Sequence, residues 1–130
     1  MKWAAETIAA GPKSKQDLSY IYAERTQKLG TYTEDTTNIP LQVLRIGDAF
    51  LGTMPCEIFC EIGLEFKSRS QQQPAFMVSL AHGYFGYLPS PRHFRLGGYE
   101  TWIGTNRLEP NASDKMLNAL LEMSGEVKKK

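Results

Sequence analysis

Three features of the sequence predict a mixed α/β fold. A tight-turn pair, Gly47-Asp48, separates two apolar runs of strand length. An amphipathic segment follows Pro55. A continuous apolar run, AFMVSLA, occupies 75–81. The first feature reads as a β-hairpin. Strand, helix and strand in that order make a βαβ-like unit, to which the hairpin adds an antiparallel element. The 130 residues suit one domain spanning 1–130. At 42% apolar and 22% charged residues the composition is that of an ordinary globular protein.

The elements follow in order. Trp3, Thr7 and Ile8 have helical spacing, and Gly11-Pro12 stops a first helix over 3–10. Leu18, Ile21, Tyr22, Arg25 and Leu29 form one stripe of a second helix over 14–29, with Gly30 as its C′ residue. Residues 1–30 are thus a helical segment. Residues 31–40 are polar, end in Pro40 and read as a loop. The hairpin strands are 41–46 and 49–53. Pro55 suits the first position of a helix, whose buried face is Ile58, Phe59, Ile62 and Phe66. A polar loop over 68–74 leads to a buried strand over 75–81. From His82 to Pro110 no clean period appears, and Gly, Pro, Tyr and Trp abound. Long irregular segments in compact domains are functional or disordered, and the aromatic content argues against disorder. A last helix over 113–127 has Ser113 as N-cap and Met116, Leu117, Leu120 and Leu121 as its apolar face.

Composition excludes several classes. Fifteen basic and fourteen acidic residues leave a net charge of +1, so no nucleic-acid footprint is visible. Lys128-Lys129-Lys130 reads as a solvated tail. No apolar stretch nears the ~20 residues that span a bilayer, and no signal peptide begins at Met1. Cys56 and Cys60 would share one face of the helix after Pro55, a poor geometry for a disulfide. Without CxxC a zinc ribbon is excluded.

Four sets of residues could carry chemistry. Glu57 stands after a strand, where ligands gather in α/β folds. In a first helical turn it would also simply complement the helix dipole, which is the plainer role. Tyr84, Tyr87 and Tyr99 lie among Gly83, Gly86, Gly97 and Gly98. Glycines allow close approach of a ligand, while tyrosines equally pack their rings and hydrogen-bond their hydroxyls. His82 and His93, with Glu57, make a two-histidine, one-glutamate zinc set on paper, but no HExxH-type spacing supports it. Cys56 in a first helical turn would have a lowered pKa and become a nucleophile, with either histidine as base. The plainer alternative is a small buried thiol. Asn111-Ala112-Ser113 is a glycosylation sequon of chance-level length.

Two blocks, LQVLRIGDAFLGTMPCEIFCEIG (41–63) and AHGYFGYLPSPRHFRLGGYETW (81–102), with SYIYAER before them, carry a resemblance. In order and content they resemble the C-terminal part of the catalytic domain of neutral/alkaline, non-lysosomal ceramidases, above all bacterial ceramidase-like proteins. The resemblance covers most of the chain and makes 41–102 its site-bearing core. It implies a zinc amidohydrolase whose metal is held by two histidines, a glutamate and a tyrosine. The glutamate follows a strand in a Pro-Gly-Glu turn, matched by Met54-Pro55-Cys56-Glu57. The ligand tyrosine is the second of Tyr-x-x-Tyr, matched by Tyr87. A tyrosine twelve residues on contacts the substrate amide oxygen, matched by Tyr99 before Glu100. In such a site zinc polarises the amide carbonyl, and a neutral Tyr99 phenol donates to the developing oxyanion.

The chain also departs from that pattern. Both zinc histidines belong to the N-terminal half of the family's domain, outside these residues. Cys56 replaces the turn glycine, and His82 stands where relatives often carry asparagine. The expectation is therefore an incomplete part of a larger catalytic domain, inactive alone and weak in zinc affinity. Its partners would be the missing N-terminal half and a lipid amide. The resemblance suggests an exported or surface-associated protein, with a cytoplasmic one as the alternative. Two other classes stay open: a non-catalytic interaction domain with an exposed apolar face, and a cysteine-dependent enzyme using Cys56.

Overall fold

A computed structural model of the chain describes residues 2–127, so the Lys128–Lys130 tail lies outside the described residues. The architecture is mixed α/β, as the sequence predicts. Helices α1 (Lys2–Ala10) and α2 (Leu18–Leu29) pack together through small residues, with Ala4 and Ala23 buried. α2 starts at Leu18, the first residue of the apolar stripe, four residues later than the expected 14–29 span. Asp17 is its N-cap and accepts the Tyr20 N–H at 3.3 Å and the Lys13 N–H at 2.9 Å, which turns the chain before the helix. Gly30 ends α2 with right-handed dihedrals, not as a left-handed C′ residue.

Strands β1 (Gln42–Ile46) and β2 (Ala49–Thr53) form the expected antiparallel hairpin, with Ile46 opposite Ala49. Gly47 takes the positive φ of +62° that the turn requires. β2 pairs in parallel with β4 (Ala75–Val78), giving the order β1-β2-β4. The crossover contains α3 (Cys60–Arg69), which completes the βαβ unit.

The helix does not begin at Pro55. The chain instead bends at Pro55 and Cys56 and enters a two-residue strand β3 (Glu57–Ile58), and Phe59 is the N-cap of α3. The reason lies in the backbone hydrogen bonds. The Met54, Pro55 and Cys56 carbonyls accept from the N–H groups of Ala81, Phe85 and Leu80 at 2.8–3.1 Å. Those acceptors are therefore spent on a neighbouring segment and cannot close helical turns. Cys56 and Cys60 consequently share no helix face: Cys56 is buried, Cys60 exposed, and both are free thiols. Glu57 likewise lies in a strand and caps no helix dipole. The run 75–81 ends its strand at Val78, because Leu80 (φ +56°) and His82 (φ +48°) adopt left-handed backbone.

The aperiodic segment after His82 holds short elements: β5 (Tyr87–Leu88), α4 (Pro91–Leu96) and a 3₁₀ turn (Tyr99–Thr101). Helix α5 (Ala112–Glu126) follows, and its N-cap is Asn111. Ser113 is not the cap; it sits buried in the first turn with its hydroxyl unpartnered by protein.

Met54, Ile62, Phe66, Leu88, Leu117 and Leu120 form the core, with α3 and α5 covering one face of the three-stranded sheet. The Phe66 ring lies directly on Gly52, where a Cβ would sit 2.8 Å from the ring tip. The other face carries Leu44, Ile46, Phe76 and Val78, all exposed. No helix among the described residues is long and apolar enough to cross a membrane.

Phe66→Ala should cost about 3–5 kcal/mol by opening a cavity, and Gly52→Ala about 1–3 kcal/mol by overpacking against the ring. Urea unfolding measures both, and wild-type midpoints for the two would contradict this packing. Ser113→Ala should unfold at the same urea concentration or higher, since it removes a buried hydroxyl without a protein partner.

Candidate functional site

The parallel pair β3–β5 sets the site. Glu57 stands opposite Tyr87 and Ile58 opposite Leu88, so the carboxylate and the phenol leave the ribbon on the same side. Glu57 N–H donates to the Gly86 carbonyl at 3.0 Å, and Tyr87 N–H to the Thr105 carbonyl at 3.1 Å. Asn106 Nδ2 donates to the Tyr87 carbonyl at 2.9 Å. Gly86 has φ +87°, and a Cβ there would run into the Thr105 carbonyl. Only glycine lets the 84–87 and 104–106 segments come so close.

Tyr99 reaches the same point from the 3₁₀ turn. Its hydroxyl lies 2.7 Å from that of Tyr87, and the two rings meet edge to face at 5.4 Å. Hydrogen bonding to Tyr99, and then to the Glu57 carboxylate, pushes the Tyr87 phenol well above the usual tyrosine pKa. An ionised carboxylate only accepts. Tyr87 therefore donates toward Glu57, while either phenol can be the donor in the Tyr87–Tyr99 bond. The three groups line one pocket of about 580 Å³ together with Tyr22, Tyr84, Arg25 and Arg107.

The other candidates separate from this cluster. The exposed His82 has Nε2 2.6 Å from Thr53 Oγ1. His93 holds Ser90 Oγ through Nδ1 at 2.8 Å, faces Glu61 at 3.5 Å and packs on Phe59. Neither lines the tyrosine pocket, so the two-histidine, one-glutamate set is not assembled. Cys56 is fully buried, and burial pushes its thiol up to about 11. That is the reverse of the activated thiolate expected for a nucleophile, and it removes the cysteine-enzyme reading.

Among the described residues no three His, Cys, Asp or Glu side chains gather to hold a metal. Glu57 and Tyr87 offer two adjacent oxygen donors, one of them a phenol that its neighbours keep protonated. Metal ligation needs the deprotonated ligand, and zinc affinity typically needs nitrogen or sulfur donors besides. By themselves these two oxygens do not make a zinc site; they could supply at most two of its donors.

Sequence reasoning did not find Arg107 and assigned Arg25 to a helix's packed stripe. Both are exposed and face the pocket. They come from α2 and from the 102–107 loop, far from Glu57 in sequence, and no local pattern marks them.

Comparison with family models, with curated proteins and with solved structures finds no match for the chain.

A thiol reagent such as DTNB at mildly alkaline pH should modify Cys60 in the folded protein and Cys56 only after unfolding. Rapid modification of Cys56 in the native state would contradict its buried, protonated condition.

Proposed function

We propose that the chain is the C-terminal part of a ceramidase-like zinc-dependent hydrolase of lipid amides, such as N-acyl sphingoid bases. One observation carries the proposal: Glu57, Tyr87 and Tyr99, spread over forty-two positions from 57 to 99, converge in one pocket with the two hydroxyls 2.7 Å apart. The resemblance of 41–63 and 81–102 assigns its ligand glutamate, ligand tyrosine and substrate tyrosine to these same three residues.

The roles are those the resemblance assigns, and the convergence of the three side chains supports them. Glu57 and Tyr87 are the two donors this chain contributes to the metal. Zinc, when bound, supplies Lewis acidity and a water acidic enough to be deprotonated near neutral pH. Tyr99 turns its hydroxyl to the amide oxygen and stabilises the negative charge that develops there. The β3–β5 pairing and Gly86 hold the first two residues in register before any ligand arrives. Two histidine donors come from a second polypeptide or polypeptide segment, the counterpart of the family's N-terminal half. The chain alone binds zinc weakly and does not hydrolyse the amide.

The bare sheet face favours a second reading, a non-catalytic interaction domain that keeps the fold. Leu44, Ile46, Phe76 and Val78 present apolar surface suited to a partner layer. This reading expects no zinc dependence in any combination of chains.

Zinc titration of the chain by calorimetry should give affinity weaker than micromolar, reduced further by Glu57→Ala and by Tyr87→Phe. Micromolar or tighter binding that survives both substitutions would overturn the assigned ligands. In a complex reconstituted with a histidine-bearing N-terminal half, Tyr99→Phe should lower amide hydrolysis about 10²-fold. Wild-type turnover in that variant would remove Tyr99 from the chemistry.

A further inference from the structure

The pocket around Glu57, Tyr87 and Tyr99 has a feature that a neutral lipid amide does not use. Three cations line it, Arg25, Lys28 and Arg107, against a single carboxylate, Glu57. That carboxylate already serves Tyr87. None of the three cations has a carboxylate within salt-bridge distance among the described residues.

Two of the cations are set on aromatic platforms. The Arg25 guanidinium lies 5.2 Å from the centre of the Tyr22 ring, and the Arg107 guanidinium 5.9 Å from that of Tyr84. The Tyr22 platform is itself braced. Its hydroxyl accepts from Thr105 Oγ1 at 3.0 Å, and its ring meets Trp102 edge to face at 5.0 Å. The Arg25 stem is laid on Gly104, where a Cβ would sit 2.5 Å from the Arg25 Cβ. A guanidinium over a ring is held in place, while its in-plane N–H groups stay free to donate. Uncompensated positive charge in a concave site concentrates anions.

A second cavity of about 780 Å³ adjoins this pocket, with Leu29, Tyr32 and Arg107 in the lining of both. Ile39, Phe85, Leu108 and Met116 give that second cavity apolar walls. Glu34, Asp35 and Glu109 line this far cavity and not the cationic one, and Glu109 is paired with Lys115. We call the two adjoining cavities a trough, with a cationic, hydroxyl-rich end and an end that is walled in part by apolar side chains.

We propose that the trough takes an anion-bearing amphiphilic amide, an acyl chain joined through an amide to a carboxylate-carrying head, with Arg25, Lys28 and Arg107 holding the anion. The amide part rests on the hydrolase reading above; the anion part does not. A carboxylate can accept two parallel N–H groups from a guanidinium, and such bonds are among the strongest a protein makes.

The test compares two probes that differ only in charge, N-octanoylglycine and N-octanoylglycinamide, with octanoate as a third. Binding to the 130-residue chain is followed by calorimetry and by the backbone amide signals of Gly104 and Thr105. The acid should bind about tenfold tighter than the carboxamide, and the difference should shrink as salt rises. Arg25→Gln and Arg107→Gln should each remove most of that preference, and Arg107→Lys should retain part of it. Lys28→Gln, one helical turn from Arg25, gives an independent variant, and circular dichroism confirms that each is folded. Equal affinity for acid and carboxamide, a preference that survives the arginine variants, or no binding of either probe overturns the anion site. Tyr99→Phe reads the other premise. If it leaves all affinities unchanged and octanoate binds as well as N-octanoylglycine, the amide reading fails while the anion site stands.

Discussion

The pairing of two short parallel strands, Glu57–Ile58 with Tyr87–Leu88, is the constraint on which the rest of the molecule depends. Two residues a side would not hold a ribbon alone, so the bonds around it supply the rigidity. Met54, Pro55 and Cys56 give their carbonyls to the chain after β4, and Tyr87 is tied on its other side to Thr105 and Asn106. These contacts hold the backbone past Thr53 out of a helix, through a bend at Pro55 and Cys56. They bury Cys56 and delay α3 to Cys60. A local preference of proline for a helix start is worth less than several backbone hydrogen bonds made elsewhere.

The site lies where a parallel sheet would put it. β2 and β4 run side by side, and the Met54 N–H donates to the Val78 carbonyl just past their ends. From there one strand leads to Glu57 and the other to Tyr87, so both arrive from the carboxyl end of the sheet. Tyr99 and the two arginines come in from loops and from α2. The sheet thus fixes the Glu57–Tyr87 pair, while the periphery decides what that pair faces.

How much of this was legible in the sequence depends on the range of the cause. The hairpin, the βαβ order and α5 are written in turn residues and apolar periods, and they stand as read. Pro55, Ser113 and Gly30 carried correct local signals that other interactions overrode. Ser113 lost the cap to Asn111 because the helix starts two residues earlier than a Ser113 cap would set it, and Ser113 is buried in the first turn. Glu57 and the tyrosines could be singled out from their neighbours in sequence, but not their meeting, since α3, β4 and a long loop intervene. Arg25 was legible as part of a stripe and its direction was not. The stripe is defined by α2 alone, whereas Arg25 is aimed by Gly104 and Tyr22.

The raised pKa of Tyr87 gives the cluster a direction. Its two hydrogen-bond partners favour the phenol over the phenolate. That stabilisation is complete below the ordinary tyrosine pKa and is lost as pH rises through the higher folded value. Tyr87 therefore stands as a neutral phenol beside the Glu57 carboxylate. Were Glu57 and Tyr87 to hold a cation as proposed, the phenol would have to be deprotonated, so binding would release a proton and weaken as pH falls. Tyr99 has a single hydroxyl proton, so donating it to Tyr87 and donating it to a ligand in the pocket exclude one another.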